Sequence, residues 1–267
     1  MIQIKKRKSQ LTVYEKNQLL QYGFQEVDLI NQGELPVEYL TGFVNFANLT
    51  LKIKPNVLIP RVETEELVSL IIDFASDNLK TIRYLEVGTG SGAISLAFFA
   101  YLLQHKKLSL KKFILTDISP TALTLAKENF SRLFKEEMSH KVKFLESDLL
   151  AKFSNKRKNQ QQFNVIVANL PYIPSDQISA LDCSVKNYEP CLALDGGSTG
   201  FELINQMLRQ ITAKNLLAKN GKIFLEVYPT HNLLFIQTYF PKIAQEFLIK
   251  EVQDQFAKQR FLILQRR

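Results

Sequence analysis

Cysteine and histidine are scarce in this 267-residue chain, which has two of the first and three of the second. Cys183 and Cys191 cannot build a disulfide framework, and no further Cys or His gathers near them, so they read as free structural thiols. A tetrahedral zinc site needs four ligands within reach. His105, His140 and His231 are scattered and lack carboxylate or Cys neighbours at ligand spacing, so neither metal binding nor histidine catalysis is expected. Long apolar runs are also missing: nothing approaches the ~18 consecutive residues that span a bilayer. The segment MIQIKKRKSQ is basic but has no apolar stretch behind it, unlike a signal peptide. A cytoplasmic location and no membrane partner are expected.

What is present is a globular composition, 46% hydrophobic and 22% charged, with a net charge of +8 and a pI near 9.3. That balance suits a polyanionic partner. It suits equally an enzyme acting on a ribosome-associated or RNA-mimicking protein. The lysines are spread out, with local clusters at Lys5 to Lys8, Lys106 to Lys112 and Lys152 to Lys158 that read as solvated faces. Charge therefore does not choose a partner.

Apolar spacing predicts one or two short helices over 9–31, with Gly23 and Gly33 as stops. This segment is too short for a core of its own. The period then changes, and Phe43, Phe46, Leu49, Leu51, Ile53 and Val57 to Ile59 predict a β-hairpin turning near Asn45 to Asn48. Pro60 closes it, and an amphipathic helix follows from Glu63 to Ala75. From residue 82 strands and helices alternate: strands at Ile82–Val87, Lys112–Thr116, Val142–Leu145, Phe163–Ala168 and Lys222–Val227, with helices at Pro120–Phe134 and Phe201–Leu217. Residues 151–162 read as a polar surface loop and 173–200 as irregular. Phe247–Val252 and Arg260–Leu264 read as an antiparallel pair at a sheet edge. Such alternation predicts an α/β fold with a doubly wound, seven-stranded, mostly parallel sheet. The expected division is a short N-terminal helical segment (1–40), a β-hairpin linker (41–62) and a catalytic domain (63–267).

Two turns carry chemistry. In YLEVGTGSGAISLAF, Glu86, Gly88, Thr89, Gly90, Ser91 and Gly92 join the first of these strands to its helix. The glycines alternate, unlike the dinucleotide G-x-G-x-x-G, and an acid precedes them by two positions. Glycine lets backbone N–H groups approach a ligand closely. An acid at that point repels phosphate and suits an ammonium group, as on the methionyl tail of S-adenosylmethionine. Asp117 ends the next strand where a carboxylate can accept both ribose hydroxyls. Ile118 would flank the adenine face, and Asp148 with Leu149 would meet its edge.

The second turn, FNVIVANLPYIP, ends a strand in Asn169, Leu170, Pro171 and Tyr172. An amide or aromatic NH₂ is a poor nucleophile because its lone pair is delocalised. The Asn169 carboxamide oxygen and the Leu170 carbonyl could each accept one N–H, hold the nitrogen and favour its pyramidalisation. Pro171 fixes the turn, and Tyr172 can stack on a planar amide or base.

The blocks PVEYLTGFVNF, VLIPRVETEELV, LEVGTGSGAISLA, TDISPTALTLAKEN, VANLPYIP and YEPCLALDGGSTG, from about Glu38 to Gly200, together resemble the HemK/PrmC family of release factor glutamine methyltransferases. The resemblance implies a class I S-adenosylmethionine-dependent methyltransferase fold. It also implies N5 methylation of the glutamine in the Gly-Gly-Gln motif of bacterial peptide chain release factors, the protein partner expected here. In its terms residues 88–92, Asp117, Leu149 and Asn169 correspond to cofactor contacts, and Asn169 to Tyr172 to the catalytic, substrate-binding clamp. Three departures stand out. Leu170 replaces the family's proline, which gives up roughly 0.4–1 kcal/mol of rigidity but keeps the backbone carbonyl. Val62 replaces a second proline. The helical segment before Glu38 is shorter than the family's.

The same clamp chemistry serves adenine-N6 methylation of RNA or DNA. DNA enzymes of that kind need an extra domain for base flipping, so a nucleic-acid acceptor is the less favoured reading, beside a ribosomal-protein glutamine. A degenerate fold acting only as a binding module is the non-enzymatic alternative, which intact Glu86, Gly88, Gly90, Gly92, Asp117 and Asn169 argue against. A monomer is expected.

Overall fold

A computed structural model of the chain describes residues 10–105, 108–154 and 162–267. The clusters at Lys5 to Lys8 and at Lys106, and the loop expected over 151–162 from residue 155 to 161, lie outside the described residues. The chain opens with three short helices, α1 (Val13–Gln21), α2 (Glu26–Ile30) and α3 (Val37–Thr41). In α1, Thr12 accepts from the backbone of Glu15 and the Glu15 carboxylate returns to Thr12, a reciprocal cap that satisfies two orphan donors. Leu19, Leu29 and Val37 bury a small cluster between them. The group leans on the body of the protein: Gln18 Nε2 donates to the Phe43 carbonyl (2.7 Å), and Tyr22 stacks on Phe43 with ring centroids 4.8 Å apart.

The hairpin pairs β1 (Phe43–Phe46) with β2 (Leu49–Lys52), and Ala47 and Asn48, both at positive φ, make its two-residue turn. Ile53 and Val57 to Ile59 were expected within it, but the strand ends at Lys52. Pro55 lacks a donor and Asn56 adopts φ 68, so the chain turns there and delivers Ile53, Val57 and Ile59 to the core by another route. Helix α4 (Thr64–Asn78) follows.

The main sheet is built from β3 (Thr81–Val87), β4 (Ser109–Asp117), β5 (Lys143–Glu146), β6 (Phe163–Ala168), β7 (Leu217–Glu226), β8 (Phe247–Gln253) and β9 (Gln259–Arg266). Its order is β5-β4-β3-β6-β7-β9-β8. The first five run parallel; β9 is antiparallel to β7, and β8 is antiparallel to β9 at the edge. Helices α5 (Ala93–Gln104), α6 (Pro120–Leu133), α7 (Cys183–Lys186), α8 (Glu202–Ala213), α9 (Leu233–Tyr239) and α10 (Pro241–Glu246) complete the layers. One core cluster joins the hairpin, α4, α5 and α6 around an aromatic centre in which Tyr84 stacks on Phe113 at 4.3 Å. The other joins α8, α9 and α10 to the opposite sheet face.

Two expectations shift. The helix predicted over 201–217 stops at Ala213, because Asn215 turns left-handed (φ 49), Leu216 is buried just ahead of β7 and Leu217 opens that strand as a core residue. Helices α9 and α10 lie in a stretch for which the sequence suggested no element, being short and started afresh by Pro241. Strand order reverses between β3 and β6, and in a sheet wound this way the ligand crevice lies outside the carboxyl ends of the strands at that point.

Candidate active site

A cleft of about 880 Å³, counted out to its open mouth, sits at this reversal. Gly88, Gly90, Asp117, Ile118, Asp148, Leu149, Asn169, Leu170 and Pro171 all line it. Four carboxyl-end segments, after β3, β4, β5 and β6, therefore bring those residues together.

The glycines of the turn differ in what they permit. Gly88, at φ 75, lies under the Leu170 side chain: a Cβ there would stand 2.9 Å from Leu170 Cδ2. Gly90, at φ 56, has nothing within 4 Å of its own Cβ direction and gives the cavity a bare backbone. Gly92, Thr89 and Ser91 stand behind the wall; Gly92 lets α5 approach Ala126 of α6, whose Cβ would lie 3.3 Å from any Cβ added at Gly92. Asn129 of α6, fully buried, donates to the carbonyls of Ser91 and Lys52 (3.0 Å each) and accepts from Lys52 N. One carboxamide thus ties the turn to the hairpin.

Glu86 also stands behind the wall. It is buried, and its Oε2 accepts from Thr89 Oγ1 (2.6 Å) and from the Ser95 hydroxyl. Burial pushes its pKa up to about 8, against the pull of the Ser95 and Thr89 hydrogen bonds. Asp117 is nearly as buried, and burial raises it too. Its Oδ2 accepts from Gly90 N (2.8 Å) and its Oδ1 from Ser119 N (2.9 Å), so each oxygen keeps a lone pair for a further donor in the cleft. A carboxylate pinned this way, beside a bare glycine backbone, fits a pair of vicinal hydroxyls. Leu149 turns through φ 43 at the adjoining wall, Asp148 is exposed, and the exposed Ile118 and Leu192 also line the cleft.

Leu170 is buried, packed over Gly88 within the second core cluster, so its side chain anchors the clamp from inside. Tyr172 does not line the cleft; its hydroxyl donates to Glu226 Oε1 (2.9 Å) at the end of β7. The other Glu226 oxygen accepts from Thr64 Oγ1 (2.7 Å), and Thr64 Oγ1 accepts from Asn169 Nδ2 (3.3 Å). Neither Thr64 nor Glu226 was singled out from sequence. Their side chains are 162 positions apart, and no local pattern links them.

Two further braces hold the cleft. Buried Glu189 accepts from Ile59 N (3.1 Å) and pairs with Arg61, fastening the 56–58 lip to Pro190 and Leu192. These are the PRVET and YEPC blocks, for which the sequence suggested no structural reason. Behind the clamp, Gly196 N donates to Ile173 O and Ile173 N to Leu194 O. His231, fully buried, accepts from Tyr228 N at Nδ1 and so donates from Nε2 to Thr199 O (2.9 Å); it holds this loop as a neutral imidazole, its pKa lowered by burial. Among the described residues no helix is long and apolar enough to cross a membrane.

Known proteins resemble this chain in sequence and in fold. The family model described as "Methyltransferase domain" matches residues 78–261. The chain is 36% identical over 233 residues to a release factor glutamine methyltransferase of Lactococcus lactis, covering 87% of this chain and 78% of that one. It is 30% identical over 256 residues to the Streptococcus pneumoniae enzyme of the same name, covering 96% and 82%. A human MTRF1L release factor glutamine methyltransferase is 33% identical, over 74% of this chain and 57% of its own. Among solved structures, a ribosomal protein L11 methylase of Lactobacillus delbrueckii superposes with a TM-score of 0.51 at 18% identity, covering 91% and 90%, which shows the shared fold. The Gly-rich turn at β3, the Asn-Leu-Pro-Tyr turn at β6 and this extent of identity place the chain in the methyltransferase-domain family, among the release factor glutamine methyltransferases.

Proposed function

We propose that this protein methylates the side-chain amide nitrogen of the glutamine in the Gly-Gly-Gln motif of a peptide chain release factor, with S-adenosylmethionine as donor. The observation that carries this reading is the commitment of Asn169 Nδ2 to Thr64, which leaves Oδ1 as the end available to the cleft. Beside it the Leu170 carbonyl supplies a second acceptor. Two acceptors at one point receive an NH₂ group. They do not suit a hydroxyl, which has one proton, or a carboxylate, which has none.

S-adenosylmethionine supplies an electrophilic methyl group when bound. Asp117 would hold its ribose hydroxyls, the backbone at Gly88 and Gly90 its methionyl end, and Leu149 with Ile118 its base. The clamp orients the amide nitrogen toward the methyl, and orientation supplies most of the acceleration. No strongly basic side chain is required, because the nitrogen loses its proton only after it is methylated. A cytoplasmic monomer suits this role.

The test is to incubate the protein with methyl-labelled donor and either purified release factor or total RNA. Label is expected in the factor, on its glutamine. Label in RNA alone would replace this reading by adenine methylation, and label in neither, with donor still bound, by a binding module.

Glu86 gives a second, independent prediction. With a pKa of about 8 in the free protein it is largely protonated at pH 7. A ligand ammonium group favours the ionised form, so binding must expel the proton. Donor affinity should strengthen as pH rises from 6 toward 8, by at most about tenfold per unit, and decline above 8 as the ligand's own ammonium group, with an ordinary pKa of about 7.7–8.0, loses its charge. A dissociation constant flat across that range, measured by calorimetry, would leave Glu86 as a brace for Thr89 and Ser95 only.

A further inference from the structure

Asn169 has two ends of nearly equal shape and opposite hydrogen-bonding sense, and its orientation is set from outside the cleft. Thr64 and Glu226 are 3% and 1% exposed, so water does not compete for their bonds. A hydroxyl has one proton to give. Thr64 gives its proton to Glu226 Oε2, so toward Asn169 it can only accept, and the carboxamide must turn its nitrogen to Thr64. Tyr172 likewise gives its one proton to Glu226 Oε1. A single carboxylate at the end of β7 therefore sets the sense of both arms of the clamp.

We infer that Glu226 and Thr64 are positioning residues that lock the clamp as a hydrogen-bond acceptor, and so select a glutamine amide over a glutamate carboxylate of the same shape. This rests on the glutamine reading above. A carboxylate placed between the Asn169 oxygen and the Leu170 carbonyl meets two acceptors and finds no donor, which in a buried site costs far more than a missing contact in water. Burial raises the Glu226 pKa, while the bonds from Thr64 and Tyr172 and the charge of Arg260 favour its ionised form and Glu63 opposes it. Replacing its acceptor pair by an amide puts one donor against Thr64 or Tyr172. That arm must then turn its own proton elsewhere.

The experiment compares binding of release factor with binding of the same factor carrying Gln→Glu in its Gly-Gly-Gln motif, in the presence of S-adenosylhomocysteine. The wild-type protein should prefer the glutamine form by roughly tenfold or more. In Glu226→Gln and in Thr64→Val the ratio should fall to within about threefold of unity, while S-adenosylhomocysteine affinity stays within severalfold. Thr64→Ser, which keeps the hydroxyl, should restore the preference. Retention of the wild-type ratio in both variants, or no preference in the wild type, would overturn the inference. If the wild type binds and methylates no release factor, the glutamine reading fails instead. The lock is then judged on isotope-labelled protein, by magnetisation transfer between the Asn169 side-chain amide protons and Thr64. That signal should be present in the wild type and lost in Thr64→Val; its absence from the wild type would refute the lock whatever the substrate.

Discussion

Asn169→Ala is expected to lower the turnover number by about 10²–10³-fold, the range seen when one preorganised polar group at a reacting centre is removed. Its carboxamide stands at the wall of the cleft, with its nitrogen already held by Thr64. Truncation removes one of two acceptors for the substrate NH₂ and lets the nitrogen rotate away from the methyl. On the proposed reading the donor would still be held by Asp117, Gly88, Gly90 and Leu149, all of which line the cleft, so its dissociation constant should change by no more than severalfold. Single-turnover transfer of labelled methyl, set beside calorimetric binding of S-adenosylhomocysteine, separates these effects. Equal losses in both would mean that Asn169 serves the cofactor rather than the acceptor.

Gly200→Ala should have the largest effect on stability, although Gly200 does not line the cleft. It sits at φ 79, and an added Cβ would lie 2.2 Å from the Tyr172 carbonyl oxygen and 3.1 Å from Pro174 N. Both obstacles are backbone, so no side chain can swing aside. Left-handed strain of about 1–2 kcal/mol adds to an overpacking cost of about 1–3 kcal/mol, for a loss of roughly 2–5 kcal/mol in denaturant unfolding. The relief available is to push out the Pro171–Tyr172 backbone, so the turnover number should fall with it. Gly23 is the control. It has a similar φ of 76 but nothing within 4 Å of a Cβ, so Gly23→Ala should cost only the strain and leave transfer unchanged. Equal stability losses in the two variants would show that the 196–200 loop does not press on the clamp.

Why Gly200 matters was not readable from its neighbours. The string Asp195 to Gly200 belongs to a block that carries the family resemblance, but nothing in it names its partner, a carbonyl oxygen whose own sequence context is silent about it. Glu189 and Arg61 are similar: each is an unremarkable surface residue type, and they meet only because the chain brings positions 128 apart to one lip of the cleft. Thr64 reads as an ordinary helix-start residue and Glu226 as the end of a strand. Glu86 shows the reverse case. Its position before the glycines was legible, but its burial behind them, and the rise of its pKa, depend on Thr89, Ser95 and the packing of α5.

The chain's own pattern determined what is local or periodic. Alternating apolar runs made the parallel sheet, positive-φ glycines at the end of β3 made the bare turn, and an Asn-Leu-Pro-Tyr string ended β6. These follow from steric limits on single residues and from side-chain periodicity, which act over a few positions. Tertiary structure alone decided which groups face the cleft and which brace it. The deciding contacts are hydrogen bonds between buried polar groups from distant elements. Their sense is fixed only when every proton in the network has been assigned a partner, as it is for Asn169, Thr64, Glu226 and Tyr172.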